Sequence, residues 1–254
     1  GGAWGGGGAG AGGGGWAGGG GGADGGGAGG RGRGGGRVEQ GGQGRGGRVT
    51  RAAATALPDA FFDRDAQLLA RDLLGKVIRH RVGDLWLSAR IIETEAYYLA
   101  EKGSHASLGY TEKRKALFLD GGHIYMYYAR GGDSLNFSAH GPGNAVLIKS
   151  AYPWVDEVSG PASLAQMLLN NPDASGRPRP SQKLCAGQTL LCKALGLKVP
   201  MWDAKRFDQE LLYVEDVGLA PGQVIQTTRL GIPGGRDEHL MYRFVDAGYA
   251  PYCT

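Results

Sequence analysis

The chain has 254 residues, 50 of them glycine, and 30 of those glycines fall in residues 1–50. That stretch cannot build a core, because glycine carries the largest backbone entropy cost and brings nothing to bury; the remainder suits one domain of ordinary size and excludes two full-sized ones. Five tail arginines against Asp24 and Glu39 supply +3 of the formal charge of +4, so the body is nearly balanced and would bind nucleic acid through a local basic face.

Residues 1–50 carry Arg-Gly steps around Arg31, Arg33, Arg45 and Arg48, with Trp4 and Trp16 among glycines. The Arg-Gly spacing resembles disordered RNA-binding tails, but Gly, Ala, Arg and Trp are also what a GC-rich stretch encodes when read through by accident, and the composition favours that second reading. On either account the composition predicts a disordered tail over 1–50. The body, residues 57–254, begins near Leu57-Pro58.

Asp63-Arg64-Asp65 precede apolar Leu68, Leu69, Leu73 and Leu74, a helical stripe with acids in its first turn, and Gly75 fits its end. Lys76–Val82 and Leu85–Glu95 read as two strands joined at Gly83-Asp84. Strict alternation puts Leu85, Leu87, Ala89 and Ile91 on one face and carries that face on to Glu93 and Glu95. Ile124–Ala129 is an aromatic strand and Ala145–Ser150 an apolar one. Leu164–Leu169 and Leu184–Leu195 look helical, separated by a Pro/Gly/Ser loop around Pro172–Ser181. Leu211–Glu215, Val224–Arg229 and Tyr242–Asp246 return to strand. The pattern predicts an α+β fold: a single mixed domain with a curved antiparallel β-sheet and flanking helices.

Cys185, Cys192 and Cys253 have no disulfide or zinc spacing, which points to a reducing, intracellular setting. No apolar run approaches the roughly 18 residues of a membrane span. No His/Cys/Asp cluster has metal-ligand spacing, so neither metal nor cofactor is expected.

A carboxylate ending an apolar strand face is either a partner for a buried Arg or a poised general base, and Glu95 is followed at once by Tyr97 and Tyr98. Glu93 and Glu95 stand too close on one strand to flank a bond from opposite sides, so one of them is an orienting or structural group. Tyr125, Tyr127 and Tyr128 either form core or sandwich a flat ligand with His105. Lys113-Arg114-Lys115 is the densest basic cluster of the body, a solvated face or a phosphate clamp. Gly121-Gly122 and Gly131-Gly132 lack the context of a phosphate-binding loop.

Ile91-Ile92-Glu93-Thr94-Glu95-Ala96-Tyr97, Ser104-His105, Gly122-His123-Ile124-Tyr125-Met126-Tyr127, Val146-Leu147-Ile148-Lys149, Lys183-Leu184-Cys185-Ala186-Gly187 and Arg229-Leu230-Gly231-Ile232 together resemble the alkyladenine, or 3-methyladenine, DNA glycosylases over about residues 60–248. The resemblance implies a monofunctional DNA glycosylase that flips alkylated or deaminated purines out of duplex DNA and hydrolyses the N-glycosidic bond. It implies that Glu95 activates water, that Lys149 stands where an Arg usually helps hold that water, and that a backbone carbonyl at Leu230 touches it. Tyr97, His105 and Tyr127 would stack on the base, and Asn136 would screen out guanine. The family's aromatic wedge is missing from Ala129–Leu135, leaving Arg130 or Leu135 for that role beside the phosphate contacts of Lys113, Arg114 and Lys115. The implied partner is double-stranded DNA carrying damaged purines, met by a monomer away from membranes, in the cytoplasm or nucleoid of a bacterium or the nucleus of a eukaryote. An inactive nucleic-acid-binding protein using the Arg-Gly tail is the alternative, and a hydrolase of small nucleosides a third.

Overall fold

Asp65 caps the first substantial helix: its side chain accepts from the Gln67 and Leu68 backbone N–H groups, satisfying donors a helix start leaves free. The computed structural model describes residues 55–130 and 132–254, so the expected disorder of residues 1–50 lies outside the described residues. In chain order come β1 (Thr55–Ala56), α1 (Asp59–Phe62), α2 (Ala66–Asp72), β2 (Val77–Val82) and β3 (Leu85–Tyr97). Two 3-10 helices follow, His105–Leu108 and Glu112–Phe118, then β4 (Ile124–Ala129), β5 (Gly132–Ser138) and β6 (Ala145–Pro153). The last part holds α3 (Gly160–Asn170), α4 (Gln188–Leu195), α5 (Val199–Trp202), β7 (Leu212–Asp216), β8 (Val224–Thr227) and β9 (Arg243–Asp246).

All strands pair antiparallel in one sheet, ordered β1-β7-β2-β3-β6-β5-β4. The long β3 is its axis: β6 lies along one edge, and β2 then β9 share the other. The fold is therefore α+β, with helices α2, α3 and α4 packed on β3. Between helices and sheet lies the main core, with Leu69, Leu73, Ile78, Leu87, Ile91, Phe137, Ile148, Leu191 and Leu195 fully buried. Leu68 departs from the predicted stripe and is exposed; Leu69, Leu73 and Leu74 carry the buried face. Among the described residues no helix is long and apolar enough to cross a membrane.

Two expectations about local structure change. The helix expected over Leu184–Leu195 is broken at Gly187, whose φ of 114° is closed to other residues, so α4 starts at Gln188. Cys185 and Cys192 are both buried, which pushes their thiols up and leaves them as small apolar groups. The stretch around Leu135, to which the sequence assigns no strand, is β5: Leu135 and Phe137 alternate into the core and pair with Met126 and Ile124 of β4. Gly132 opens that strand because a Cβ there would lie 2.7 Å from Thr189 Cβ in α4. The β4–β5 hairpin is thereby seated against the start of α4.

Candidate active site

The register of β3 against β6 shifts between Ile91 and Glu93 and again between Glu93 and Thr94. The irregularity reverses the alternation. Leu87, Ala89 and Ile91 point into the core, and beyond the shift Ala96 joins that core while Thr94 Oγ1 donates to the Ala70 carbonyl in α2. Glu93 and Glu95 consequently leave the face that strict alternation gave them and project from the opposite side of the sheet. Both are 0 % exposed.

Their surroundings divide the two carboxylates. Glu93 accepts from Arg243 Nε at 2.6 Å, Ser150 Oγ at 2.5 Å and the Thr254 backbone N–H at 3.1 Å. It is saturated and ties β3 to β6 and to the segment after β9. Glu95 accepts from the Tyr97 hydroxyl on Oε2 at 2.7 Å and from the Leu230 N–H on Oε1 at 3.1 Å, with Lys149 Nζ 3.5 Å from Oε1. Leu230 therefore reaches Glu95 through its N–H, a contact different from the carbonyl role the resemblance implied.

Sheet register places partners beside Glu95. Glu95 pairs with Leu147, Leu147 with Asn136 and Asn136 with Tyr125, one row across four strands. Directly paired residues share a face; Leu147, Asn136 and Tyr125 of that row form the floor of a cleft of about 770 Å³, and the buried Glu95 at the end of the row is held by Tyr97, Lys149 and Leu230, which line it too. Tyr97, His105, Tyr125, Tyr127, Asn136 and Lys149 line it, and a volume of this size suits a small planar ligand. Asn136 Nδ2 donates to the Tyr125 carbonyl at 3.1 Å, fixing the side chain on that floor.

The rings arrange themselves as a wall. His105 and Tyr127 meet edge to face at 4.4 Å between centroids, Tyr125 stacks on Tyr127 at 5.5 Å, and His105 Nδ1 shares a hydrogen bond with the Tyr125 hydroxyl at 3.1 Å. Tyr97 touches no other aromatic ring among the described residues; its ring carries the Arg229 guanidinium at 4.5 Å. Burial holds the Tyr97, Tyr125 and Tyr127 hydroxyls above the usual range, and the Glu95 charge adds to the effect on Tyr97. Burial, with Arg114 and Arg236 nearby, pushes His105 down. At neutral pH the wall is therefore uncharged.

Basic side chains rim the cleft. Lys113 and Arg114, on the second 3-10 helix, line a shallower hollow of about 600 Å³ bordered by His105, Tyr125 and Tyr127. Lys115 instead faces Glu112 at 3.7 Å and is absent from that lining. Arg130 stands exposed at the end of β4 with φ 48° and lines the main cleft, its Nη2 3.4 Å from where a Cβ on Gly231 would sit. Leu135 is corrected: it is 0 % exposed inside the core and cannot enter a duplex. Among the described residues no group of His, Cys, Asp and Glu could hold a metal ion.

Residues that the sequence did not single out also shape the site. Arg229 and Arg243 hold the segments that bring Leu230 and Thr254 to the carboxylates, and Gln188 Nε2 reaches the Tyr127 hydroxyl at 3.5 Å. Of these only Arg229 had a signal, its place directly before Leu230.

A family model described as Methylpurine-DNA glycosylase (MPG) matches residues 60–250. The chain is similar to a protein of Pseudomonas fluorescens (strain Pf0-1), 88 % identical over 208 residues that make up 80 % of this chain and 90 % of that one. It is 76 % identical to one of Pseudomonas aeruginosa (strain UCBPP-PA14), covering 79 % of this chain and 84 % of that one. A more distant relative in Methanoculleus marisnigri shares 29 % identity over 76 % of this chain and 97 % of its own. The names of all three carry the words 3-methyladenine DNA glycosylase. On these grounds the chain belongs to the methylpurine-DNA glycosylase family, a family of DNA glycosylases.

Proposed function

We propose that the protein frees alkylated purines, 3-methyladenine among them, and deaminated purines such as hypoxanthine from double-stranded DNA, working as a monomer on the cell's own DNA. The damaged nucleotide leaves the stack, at a cost of a few kcal/mol, and its base enters the cleft between Tyr97 and the His105–Tyr127 wall. An alkylated purine is cationic and is held there by stacking and cation–π attraction. Its charge also makes it a good leaving group, so no strong general acid is required.

Water then adds to C1′ of the sugar as the N-glycosidic bond breaks, giving the free base and an abasic site. Glu95 takes the water's proton and stabilises the developing positive charge on the sugar. The Tyr97 hydroxyl, the Leu230 N–H and Lys149 fix its two oxygens. Asn136, on the floor two strands from Glu95, meets the edge of the base and crowds an exocyclic amine such as guanine's.

The observation that carries this reading is a fully buried carboxylate held by three residues, Tyr97, Leu230 and Lys149, that line a ring-lined, basic-rimmed cleft. Two substrates test it: methylated DNA, with released bases separated by chromatography, and an end-labelled duplex carrying one hypoxanthine, cleaved by alkali after incubation. The reading expects free 3-methyladenine and a single break at the hypoxanthine. Intact bases in both would sink it.

A further inference from the structure

We propose that Arg229 is a positioning residue, setting in one side chain both groups that donate to Glu95: the Tyr97 hydroxyl and the Leu230 amide. This rests on the reading of Glu95 as the water-activating group. Arg229 is 4 % exposed and absent from the cleft lining, although Tyr97 and Leu230 both line it. Its guanidinium therefore lies behind Tyr97, 4.5 Å from that ring and 5.4 Å from the ring of Tyr242. A base in the cleft would add the next layer to a stack that begins at Tyr242.

The polar contacts of Arg229 converge on the same stretch. Nη1 donates at 2.8 Å to the carbonyl of Ala96, the residue between Glu95 and Tyr97, and lies 2.5 Å from Glu101 Oε2. Glu101 is held in turn by the Tyr98 N–H, which donates to Oε1 at 2.9 Å. The residue after Arg229 is Leu230, whose N–H donates to Glu95. The segment beyond is clipped to the same loop: Arg236 donates to the Lys102 carbonyl, and the Lys102 N–H donates to Asp237 at 2.8 Å. One planar cation thus flattens the Tyr97 ring from behind, grips the backbone beside Glu95 and anchors the chain that supplies the second donor. Lysine offers a point charge on a flexible stem and cannot stack and donate in that fixed geometry.

A buried ion pair that only stabilised the fold would change how much protein is active, without changing how fast each active molecule works. The test therefore compares Arg229→Lys with wild type in single-turnover excision per active molecule. Active sites are titrated with a duplex whose lesion nucleotide is 2′-fluorinated and resists hydrolysis. Misplacing a catalytic group by about 1 Å costs on the order of 10²-fold, so a fall of about 10- to 100-fold is expected, with affinity for the fluorinated duplex within about threefold. A rate per active site within about threefold of wild type overturns the proposal. If Arg229→Lys does not fold, the double variant Arg229→Met/Glu101→Gln decides: it removes the planar cation and its Ala96 contact without leaving Glu101 charged and unpaired, and a wild-type rate there overturns the proposal too. Inactive Glu95→Gln beside fully active Arg229→Lys would sink this inference alone; active Glu95→Gln would sink the reading beneath it.

Discussion

The Tyr97 hydroxyl donates to Glu95 Oε2 at 2.7 Å, from two residues along the same strand. One residue thus serves two ends of the proposed chemistry, since its ring lines the cleft that takes the base while its hydroxyl orients the carboxylate below. The cause is local. The register shift in β3 turns Glu95 to the cleft side, and alternation brings Tyr97 with it.

Arg130 and Leu135 were both open as the side chain that fills the gap left by a flipped base, and the fold separates them. Arg130→Ala should lose excision of hypoxanthine from a duplex far more than from a single strand, where there is no stack to refill. Leu135→Ala should instead lower stability by about 2–5 kcal/mol through a core cavity, with duplex preference unchanged. If Arg130→Ala weakens all duplex binding alike and lowers the salt slope by about one, the residue contacts only the backbone.

Stability should fall on mild acidification because of His80. It is buried, with Nδ1 2.7 Å from the Leu195 carbonyl and Nε2 3.3 Å from Trp202 Nε1. The indole N–H can only donate, so Nε2 accepts, Nδ1 carries the proton, and the ring is neutral. Burial lowers its pKa from the ordinary 6.5, although the Leu195 contact pulls the other way. Below that value the unfolded chain binds a proton that the folded one refuses. The contribution is thus complete above about pH 6.5 and is lost as pH falls through the window beneath it, by up to about 1.4 kcal/mol per pH unit. Urea midpoints from pH 7.5 to 5.5 should drop less steeply for His80→Gln than for wild type; equal slopes would remove His80 as the cause.

Much of the architecture was legible because the signals were local. The helix after Asp65, the Gly83-Asp84 hairpin and the aromatic strand Ile124–Ala129 need only their own residues, and each formed where its pattern placed it, although the acids expected in the helix's first turn stand before it, with Asp65 as its cap. Strand β5 was missed because its two core residues, Leu135 and Phe137, are too few to show alternation among Gly, Asp, Ser and Asn. The face occupied by Glu95 was misread because a register shift depends on the partner strand, which no single segment encodes. Arg243 was hidden for a similar reason, and the contacts of Arg229 were hidden although the residue itself stands in the Arg229-Leu230-Gly231-Ile232 motif. The partners of Arg229 and Arg243 stand 133 and 150 residues away, at Ala96 and Glu93.

Removing residues 1–50 should leave folding and excision intact, since the family match and every site residue lie beyond them. The melting temperature should move by no more than about a degree. Weaker DNA binding at low salt is expected, as five arginines go with the segment. A large thermal shift would mean that the tail packs on the body.

Lys149 is expected to orient Glu95 without attacking the sugar. Activity should survive chelator, and borohydride should trap no covalent complex with substrate DNA. An adduct that disappears in Lys149→Ala would show instead that the amine forms a Schiff base.

The central claim is that the Glu95 carboxylate activates the water. Glu95→Gln keeps the size and position of the side chain and can still accept from Tyr97, but it removes the charge. Measured in single-turnover excision of hypoxanthine beside equilibrium binding of the same duplex, the variant should lose about 10²-fold or more in rate while binding survives. A rate within a few-fold of wild type would contradict the account.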